Sequence, residues 1–436
     1  MASFECIFTS DGAGQLWNTC VWDIVSGSVL AQYKGGISRS KTLCLLGSDY
    51  VISAQQDKPL LRVWSLQRRD QVQKQIVCPG VVSALATSPD GLHCVAGIGE
   101  KIYLWQVPSG DLLAVLGCHF NTITCLRFSD DGGLFVSASS DGQVLVWDLA
   151  EAACSTTQGP ADPMHAWSQH SYNVTDVHLG VGRSRCFTCS ADQTCRVFSL
   201  DSGELLATVV LDAALTAIVT DPAEDHIFAG ATTGKIFEVS LYMMDTGDKR
   251  SDAMFVGHSS KVTCLSVSLD GQLLVSGSED CTARVWDVAS KQCIHVLHHK
   301  GTVGNVLVVP TPYVLTSMQP IPPTLPLGIF KRTTQAPKDE NGIPVCLGSA
   351  LVSESQDKML QGELPPADYA NLLQSMPSAG GVEEADDEEE EEASFHQEQD
   401  LSKQVALLKQ MNKQLYSYSW NFILKQHGMG SDMSST

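Results

Sequence analysis

Short apolar runs alternate with glycine- and aspartate-rich turns along most of the first 310 residues of the chain. The stretch 262–297 shows this best, because four alternating runs are separated there by the turns 269–271 and 279–280. Alternation over four to eight positions is typical of β-strands that bury one face. The pattern therefore predicts repeated units of four short antiparallel strands.

An aromatic residue closes the third strand of each unit, and it recurs at a mean spacing of about 44 residues. A period of about 40–45 residues with four strands per unit is typical of β-propeller blades. Residues 1–318 are therefore predicted to form an all-β, seven-bladed propeller. The closing residues are Trp22, Trp64, Trp105, Trp147, Phe198, Phe237 and Trp286.

The first unit lacks its inner strand, and the run 303–309 near the other end of the domain is predicted to supply it. Joining the terminal strands would leave no unpaired edge, which is where sheets aggregate. The run 313–317 reads as one more strand. The pattern leaves open whether that strand pairs at the closure or begins an incomplete eighth blade.

Three units carry a His, a Ser or Thr 18 residues later, an Asp after 22 residues and an aromatic residue after 28. This spacing resembles the WD-repeat family, whose blades hold such a tetrad by hydrogen bonds. In each set Asp accepts from His, His contacts the hydroxyl, and the indole N–H has an acceptor. Phe198 cannot donate, so one network is expected to be a bond short. The sets are His119, Ser137, Asp141 and Trp147, then His170, Thr188 and Asp192, then His258, Ser276, Asp280 and Trp286.

The other units depart from this pattern. Ser53 and Asp57 precede Trp64 without a His, and the units ending at Trp105 and Phe237 lack the Asp, so packing is expected to hold them. The run 298–300 is interpreted as the His position of the last turn rather than as a metal site.

The composition changes after the ring. Residues 319–344 are rich in proline and predict an extended strap along the propeller, anchored through residues 328–332. Residues 345–393 read as a flexible linker that ends in the acidic run 383–392. That run is interpreted as a solvated tail, and the alternative is a mimic of nucleic-acid charge that contacts basic partners.

Residues 394–427 predict an amphipathic helix with a heptad seam of about three repeats. Such a helix cannot bury its apolar stripe alone. It either docks on its own propeller or pairs with a second chain, and the long linker favours a coiled-coil homodimer. The seam consists of Leu401, Val405, Leu408, Asn412, Leu415 and Phe422.

The net charge of −21, to which the acidic run contributes nine carboxylates, argues against direct nucleic-acid or anionic-membrane partners. No apolar run is long enough to span a bilayer, and the start of the chain lacks a signal-peptide pattern. The 15 cysteines are scattered and odd in number, which favours a reducing compartment.

The candidates for chemistry have structural interpretations. The His–Ser–Asp sets recur in three units, which favours fold stabilisation over a catalytic triad. Cys186 and Cys189 have metal-ligand spacing, but residues three apart in a strand point to opposite faces. The glycines at 97–99 precede a strand, so they do not form a phosphate loop. We therefore expect a scaffold with no catalytic, metal or cofactor site, not an enzyme.

The whole layout, with degenerate blades, a strap, an acidic run and a terminal helix, resembles the propeller subunits of the rixosome. The resemblance implies a complex that processes ribosomal RNA and matures large ribosomal subunit precursors. It implies a location in the nucleolus and nucleoplasm, with the cytoplasm as an additional location that the sequence does not exclude. It also implies helical-repeat protein subunits as partners, with preribosomal particles bound through the complex. The alternative is a substrate-recruiting adaptor of a ubiquitin ligase or chromatin-modifying complex, which an acidic face for basic motifs would favour.

Overall fold

The computed structural model describes residues 4–14, 17–67, 72–158, 162–241, 253–316 and 325–333. They form seven four-stranded antiparallel sheets, which confirms the seven-bladed β-propeller. The acidic run 383–392 and the terminal helix predicted at 394–427 lie outside the described residues. The rest of the linker and most of the strap lie outside them as well.

Each sheet is one blade, numbered in chain order, and the first strand of blades 2 to 7 is the innermost. Blade 1 contains β1 (Glu5–Asp11), β2 (Thr19–Asp23) and β3 (Val29–Tyr33). Blade 2 contains β4 (Cys44–Leu46), β5 (Tyr50–Ala54), β6 (Leu60–Ser65) and β7 (Val72–Val77). Blade 3 contains β8 (Val82–Thr87), β9 (His93–Ile98), β10 (Lys101–Gln106) and β11 (Leu112–Leu116).

The second half of the ring repeats this order. Blade 4 contains β12 (Ile123–Phe128), β13 (Leu134–Ser139), β14 (Val144–Asp148), helix α1 (Leu149–Gln158) and β15 (His165–Trp167). Blade 5 contains β16 (Val174–Leu179), β17 (Arg185–Ser190), β18 (Thr194–Ser199) and β19 (Leu205–Val210), with a 3-10 turn at Val181–Arg183. Blade 6 contains β20 (Leu215–Thr220), β21 (His226–Ala231), β22 (Ile236–Ser240) and β23 (Met254–Phe255). Blade 7 contains β24 (Val262–Val267), β25 (Leu273–Ser278), β26 (Thr282–Asp287) and β27 (Cys293–His298), and β28 (Val303–Pro310) follows.

The ring closes through blade 1, where β28 is the inner strand and pairs antiparallel with β1. The side chain of Asn305 reinforces this closure. Its Oδ1 accepts from the backbone N–H of Thr42 at 2.9 Å, and its Nδ2 donates to Ser10 Oγ at 2.7 Å. One buried amide thus joins the last strand, the first strand and the loop that enters blade 2.

The expectation of one more strand at 313–317 was wrong. Residues Tyr313–Thr316 form a short helix, α2, in which the N–H of Leu315 donates to the carbonyl of Pro312 at 3.0 Å. Proline has a fixed φ close to the helical value and suits the first turn of a helix. Because β28 already occupies the inner place in blade 1, the count remains seven.

The core lies between neighbouring blades rather than within one layer. Each apolar cluster joins side chains of two adjacent sheets; the cluster between blades 2 and 3, for example, buries Ile52, Val63, Leu85 and Trp105. Sheets packed face to face in this way hold the loops at each end of the ring in fixed positions. The loops at one end carry the His and Asp residues of the tetrads found in the sequence.

Candidate functional site

Blade 7 contains the complete tetrad. The indole N–H of Trp286 donates to Ser276 Oγ at 2.8 Å, and Ser276 Oγ lies 2.7 Å from Nε2 of His258. Nδ1 of His258 lies 2.8 Å from Asp280 Oδ2. The carboxylate can only accept, so Nδ1 of the neutral ring carries the hydrogen and donates to Asp280. Nε2 is then the acceptor, and the Ser276 hydroxyl donates to it. The four groups form one continuous chain of hydrogen bonds.

Blades 4 and 5 hold looser versions. In blade 4, Ser137 Oγ contacts Nε2 of His119 at 2.8 Å and accepts from Trp147 at 3.0 Å, whereas Nδ1 of His119 is 3.4 Å from Asp141. In blade 5, Nε2 of His170 contacts the Thr188 hydroxyl at 2.8 Å, and Nδ1 contacts Asp192 at 3.0 Å.

Phe198 of blade 5 gives no indole bond and stacks on Trp167 at 4.2 Å between ring centroids. An aromatic contact from the neighbouring blade 4 therefore takes the place of the hydrogen bond that the sequence lacks.

The Asp of blade 7 keeps its charge beside a neutral His. Burial lowers the pKa of His119, His170 and His258, so these rings are neutral at pH 7. Burial acts to raise the pKa of Asp280, but hydrogen bonds from Thr282 and His258 outweigh it and lower that pKa to about 2. The His258–Asp280 pair therefore carries a net negative charge. The ring end that holds the His loops 117–122, 168–173 and 256–261 is called the tetrad face.

Blades 1 and 2 use partial substitutes. His299 is buried against the indoles of Trp17 and Trp22, at 5.1 and 5.6 Å between centroids, and among the described residues neither ring nitrogen has a hydrogen-bond partner. Trp22 donates instead to Thr9 Oγ1 at 2.8 Å. In blade 2, Ser53 Oγ lies 2.7 Å from Ser38 Oγ, which occupies the missing His position.

Blade 3 is completed by the strap. The indole N–H of Trp105 donates to the carbonyl of Lys331 at 2.8 Å, and the ring of Phe330 stacks on Trp105 at 5.3 Å. The N–H of Gly328 donates to the Val107 carbonyl at 2.9 Å. Lys331 also forms an ion pair with Asp111. The Lys74 ammonium of blade 2 also donates to the carbonyls of Leu327 and Gly328. The described strap residues 325–333 therefore contact blades 2 and 3, whereas the sequence predicted an anchor at residues 328–332 without assigning it to a blade.

Sequence reasoning missed a ring of threonines on the inner strands. In four consecutive blades the second inner-strand residue donates its hydroxyl to the inner strand of the next blade, at 2.7, 3.0, 2.5 and 2.5 Å. A bulge at this position in each strand allows the reach. The signal was present, because in each tetrad blade the Thr follows the His by five residues. The ring consists of Thr124, Thr175, Thr216 and Thr263.

A buried ion pair also crosses the centre of the ring. Lys41, from the loop before β4, lies 3.3 Å from Asp176 on β16 and donates to the Thr216 carbonyl at 3.2 Å. Burial opposes both charges, but their attraction outweighs it, so the pKa of Asp176 is lowered and that of Lys41 is raised. Lys41 and Asp176 are 135 positions apart, and no sequence pattern links them.

Cys186 and Cys189 do not converge on one site. They lie on opposite faces of β17 in two separate apolar clusters, and burial raises the pKa of the Cys189 thiol to about 12. Within the six described ranges, no group of three or more His, Cys, Asp or Glu side chains is arranged to hold a metal ion. None of the helices in the described part has the length and apolar character needed to cross a membrane.

Comparison with known proteins places these features in context. The WD domain, G-beta repeat, matches residues 110–148, 161–199 and 250–287, which contain the three tetrads. The chain is 37% identical to WD repeat-containing protein 18 of Danio rerio over 97% of this chain and 99% of that protein. It is 41% identical to the Homo sapiens protein over 76% and 78% of the two chains. It is also 27% identical to pre-rRNA-processing protein pro-1 of Caenorhabditis briggsae over 70% and 61%.

Proposed function

The chain belongs to the WD repeat-containing protein 18 family, and from this premise we propose that it is a non-catalytic scaffold subunit of a nuclear complex for ribosomal RNA processing. The observation that carries the proposal is the similarity over nearly the whole chain, together with a relative named for pre-rRNA processing. A stiff ring with fixed loops supports a scaffold role, because such loops present binding residues without an ordering cost.

The finer proposal is that the complex is the rixosome and that it acts on large ribosomal subunit precursors. The propeller holds a helical-repeat protein subunit, and preribosomal particles are bound through the assembled complex. The chain accordingly works in the nucleolus and nucleoplasm.

Purification of the tagged full-length chain from nuclei tests this function. We expect ribosome-assembly factors, including a helical-repeat protein, to dominate the bound material, and the chain to cosediment with large-subunit precursors. Dominance of ubiquitin-ligase core subunits or histone-modifying enzymes would instead support the adaptor function. The carboxylates of Asp141, Asp192 and Asp280 lie on the tetrad face, and an acidic face is the feature that the adaptor function requires, so this experiment separates the two functions.

We further propose that two copies pair through the terminal helix, which raises the effective concentration of the second propeller contact. The seam residues lie outside the described residues, and the proposal rests on their heptad spacing. The solution mass of the full chain should correspond to a dimer, and a truncation after Gly381 should be monomeric. Asp in place of Leu408 and Leu415 should also give a monomer, with unchanged thermal unfolding of the propeller. A full chain that is monomeric at micromolar concentration would refute pairing.

A further inference from the structure

Two aromatic side chains stand exposed on neighbouring loops of the tetrad face. Phe120 is 79% exposed and Tyr172 is 67% exposed. Phe120 follows the tetrad His of blade 4, and Tyr172 lies two residues after the tetrad His of blade 5. The fold does not require aromatic residues there, because the equivalent loop of blade 7 has the polar residues Ser259 and Ser260 after His258.

The two loops are held rigidly by one turn. In the turn between β13 and β14, Asp141 Oδ2 accepts from the backbone N–H of Phe120 at 3.0 Å. The next residue, Gly142, has φ 84°, and a Cβ built on it would lie 2.8 Å from the His170 carbonyl oxygen and 3.4 Å from that of Tyr172. The same turn thus contacts both loops. The two aromatic residues therefore lie on adjacent loops whose backbone contacts a single turn.

Carboxylates flank the aromatic pair. The turn that carries Glu100 bonds to blade 4, because the Gly99 carbonyl accepts from the N–H of Ile123 at 3.1 Å. On the other side, the N–H of Leu211 donates to the Gln193 carbonyl at 2.8 Å, which places Asp212 beside blade 5. These turns and loops place six residues on consecutive blades of the tetrad face, with the two aromatic residues between the exposed carboxylates of Glu100 and Asp212. The acidic aromatic row consists of Glu100, Phe120, Asp141, Tyr172, Asp192 and Asp212.

Asp192, at the base of the row, keeps its charge beside a neutral His. Burial keeps His170 neutral. Burial also acts to raise the pKa of Asp192, but hydrogen bonds from Thr194 and His170 lower it on balance. Lys101 is the cation in the same turn as Glu100, so carboxylates outnumber cations along the row.

We propose that the acidic aromatic row is the docking surface for a basic helix of the helical-repeat partner protein. Arginine and lysine side chains stack on aromatic faces while their charges meet the exposed carboxylates of Glu100 and Asp212. The side chains of Asp141 and Asp192 are only 10% and 8% exposed, and they hold the two loops from beneath rather than contacting the partner. Rigid exposed aromatic residues are also the side chains that dominate binding energy at protein interfaces. This inference rests on the proposed scaffold function and assigns it a surface.

A direct test uses the full-length chain and two labelled 18-residue helical peptides. One has leucine on its apolar face and arginine on its polar face, and the other has glutamate in place of arginine. We expect the arginine peptide to bind, more weakly at high salt, and the glutamate peptide not to bind. Replacing Phe120 and Tyr172 by Ser, as in blade 7, should weaken binding at least tenfold. Equal binding of both peptides, or equal binding by the double variant, would overturn the proposal.

A matched control replaces Leu269 by Ser. Leu269 is 63% exposed in the turn between β24 and β25, at the opposite end of the ring, and its loss should not change peptide binding. A single-stranded RNA of similar length provides the other control. If the double variant loses RNA binding while peptide binding is unchanged, the row is a nucleic-acid surface and the proposal is wrong.

Nuclear purification separates this inference from the function on which it rests. Loss of the helical-repeat partner from the Phe120→Ser, Tyr172→Ser variant, with retention by Leu269→Ser, supports the docking surface. Retention of that partner by both variants overturns the surface and leaves the scaffold function standing. If wild-type chain recovers no such partner, the scaffold function fails, and the peptide measurement still decides whether the row binds basic helices.

Discussion

Blades 4, 5 and 7 and blades 3 and 6 solve the same packing problem in different ways. The tetrad blades place a hydroxyl at the fourth residue of the second strand, whereas blades 3 and 6 have Ala96 and Ala229 there. Alanine cannot accept from an indole. Blade 3 keeps Trp105 and obtains its acceptor from the strap, while blade 6 has Phe237, which needs none.

The comparison shows that the aromatic residue and the strand hydroxyl vary independently, because blade 3 keeps Trp105 without the hydroxyl and blade 5 keeps Thr188 without an indole. Blade 6 has neither, and it packs Phe228 against Phe255 at 6.0 Å and Phe255 against Trp286 of blade 7 at 5.8 Å. A blade that lacks part of the tetrad therefore depends on a neighbouring blade or on the strap.

The largest expected effect comes from removing the strap contact of blade 3. Phe330 is 4% exposed, and Phe330→Ala should lower the free energy of unfolding by about 3–5 kcal/mol, the usual cost of deleting a buried phenylalanine. Urea-induced unfolding of the full chain measures it. Ile329, which is 72% exposed, provides the control, and Ile329→Ala should cost about 0.5 kcal/mol or less. Equal effects of the two substitutions would show that the strap does not complete the blade.

The next effect concerns the hydroxyl at the centre of the blade 7 tetrad. Ser276→Ala leaves the Trp286 donor and the His258 acceptor unpaired, and should lower the free energy of unfolding by about 2–4 kcal/mol, at about 1–2 kcal/mol for each buried group. The same urea titration applies. Thr188→Val in blade 5 is the matched variant, because Phe198 has no donor to lose. If Thr188→Val cost as much as Ser276→Ala, the indole bond would contribute nothing.

The third effect is the loss of stability in acid that is caused by His299. Burial lowers the pKa of His299 to about 4, and its aromatic neighbours offer no acceptor. In the unfolded chain this residue becomes protonated near pH 6.5. The contribution of His299 to the free energy of unfolding is therefore fully present above that pH and is lost as the pH falls towards 4. His299→Phe should therefore reduce the loss of stability between pH 7 and pH 5 by on the order of 1–2 kcal/mol. An unchanged pH dependence would contradict the assignment.

The smallest effect is expected in the threonine ring. Thr263→Val removes the hydroxyl that donates to the Val303 carbonyl in the closure strand, at a cost of about 1 kcal/mol. The measurement is again the urea midpoint. Thr233→Val, at an exposed position of the turn between β21 and β22, provides the matched control and should change the free energy of unfolding by about 0.5 kcal/mol or less. A neutral result for Thr263→Val as well would mean that the inter-blade hydroxyl bonds do not stabilise the ring.

Periodicity predicted what repeats and missed what occurs once. The spacing from His258 to Trp286 recurs in other blades, so both the blade count and the tetrads could be read from the chain. The indole N–H groups of Trp105 and Trp64 donate to the backbone carbonyls of Lys331 and Lys34, which lie 226 and 30 positions away, so the spacing of the repeats does not reveal either acceptor. The strand expected at 313–317 was wrong because Pro312 favours the start of a helical turn, which the alternation of apolar residues does not show.

The most direct test of the scaffold account is rapid depletion of the chain from its own cells, followed by measurement of ribosomal RNA precursors. The account predicts that precursors of the large-subunit RNA accumulate while the small-subunit RNA matures normally, and that re-expressed full-length chain restores processing. Unchanged large-subunit precursors after complete depletion would contradict it.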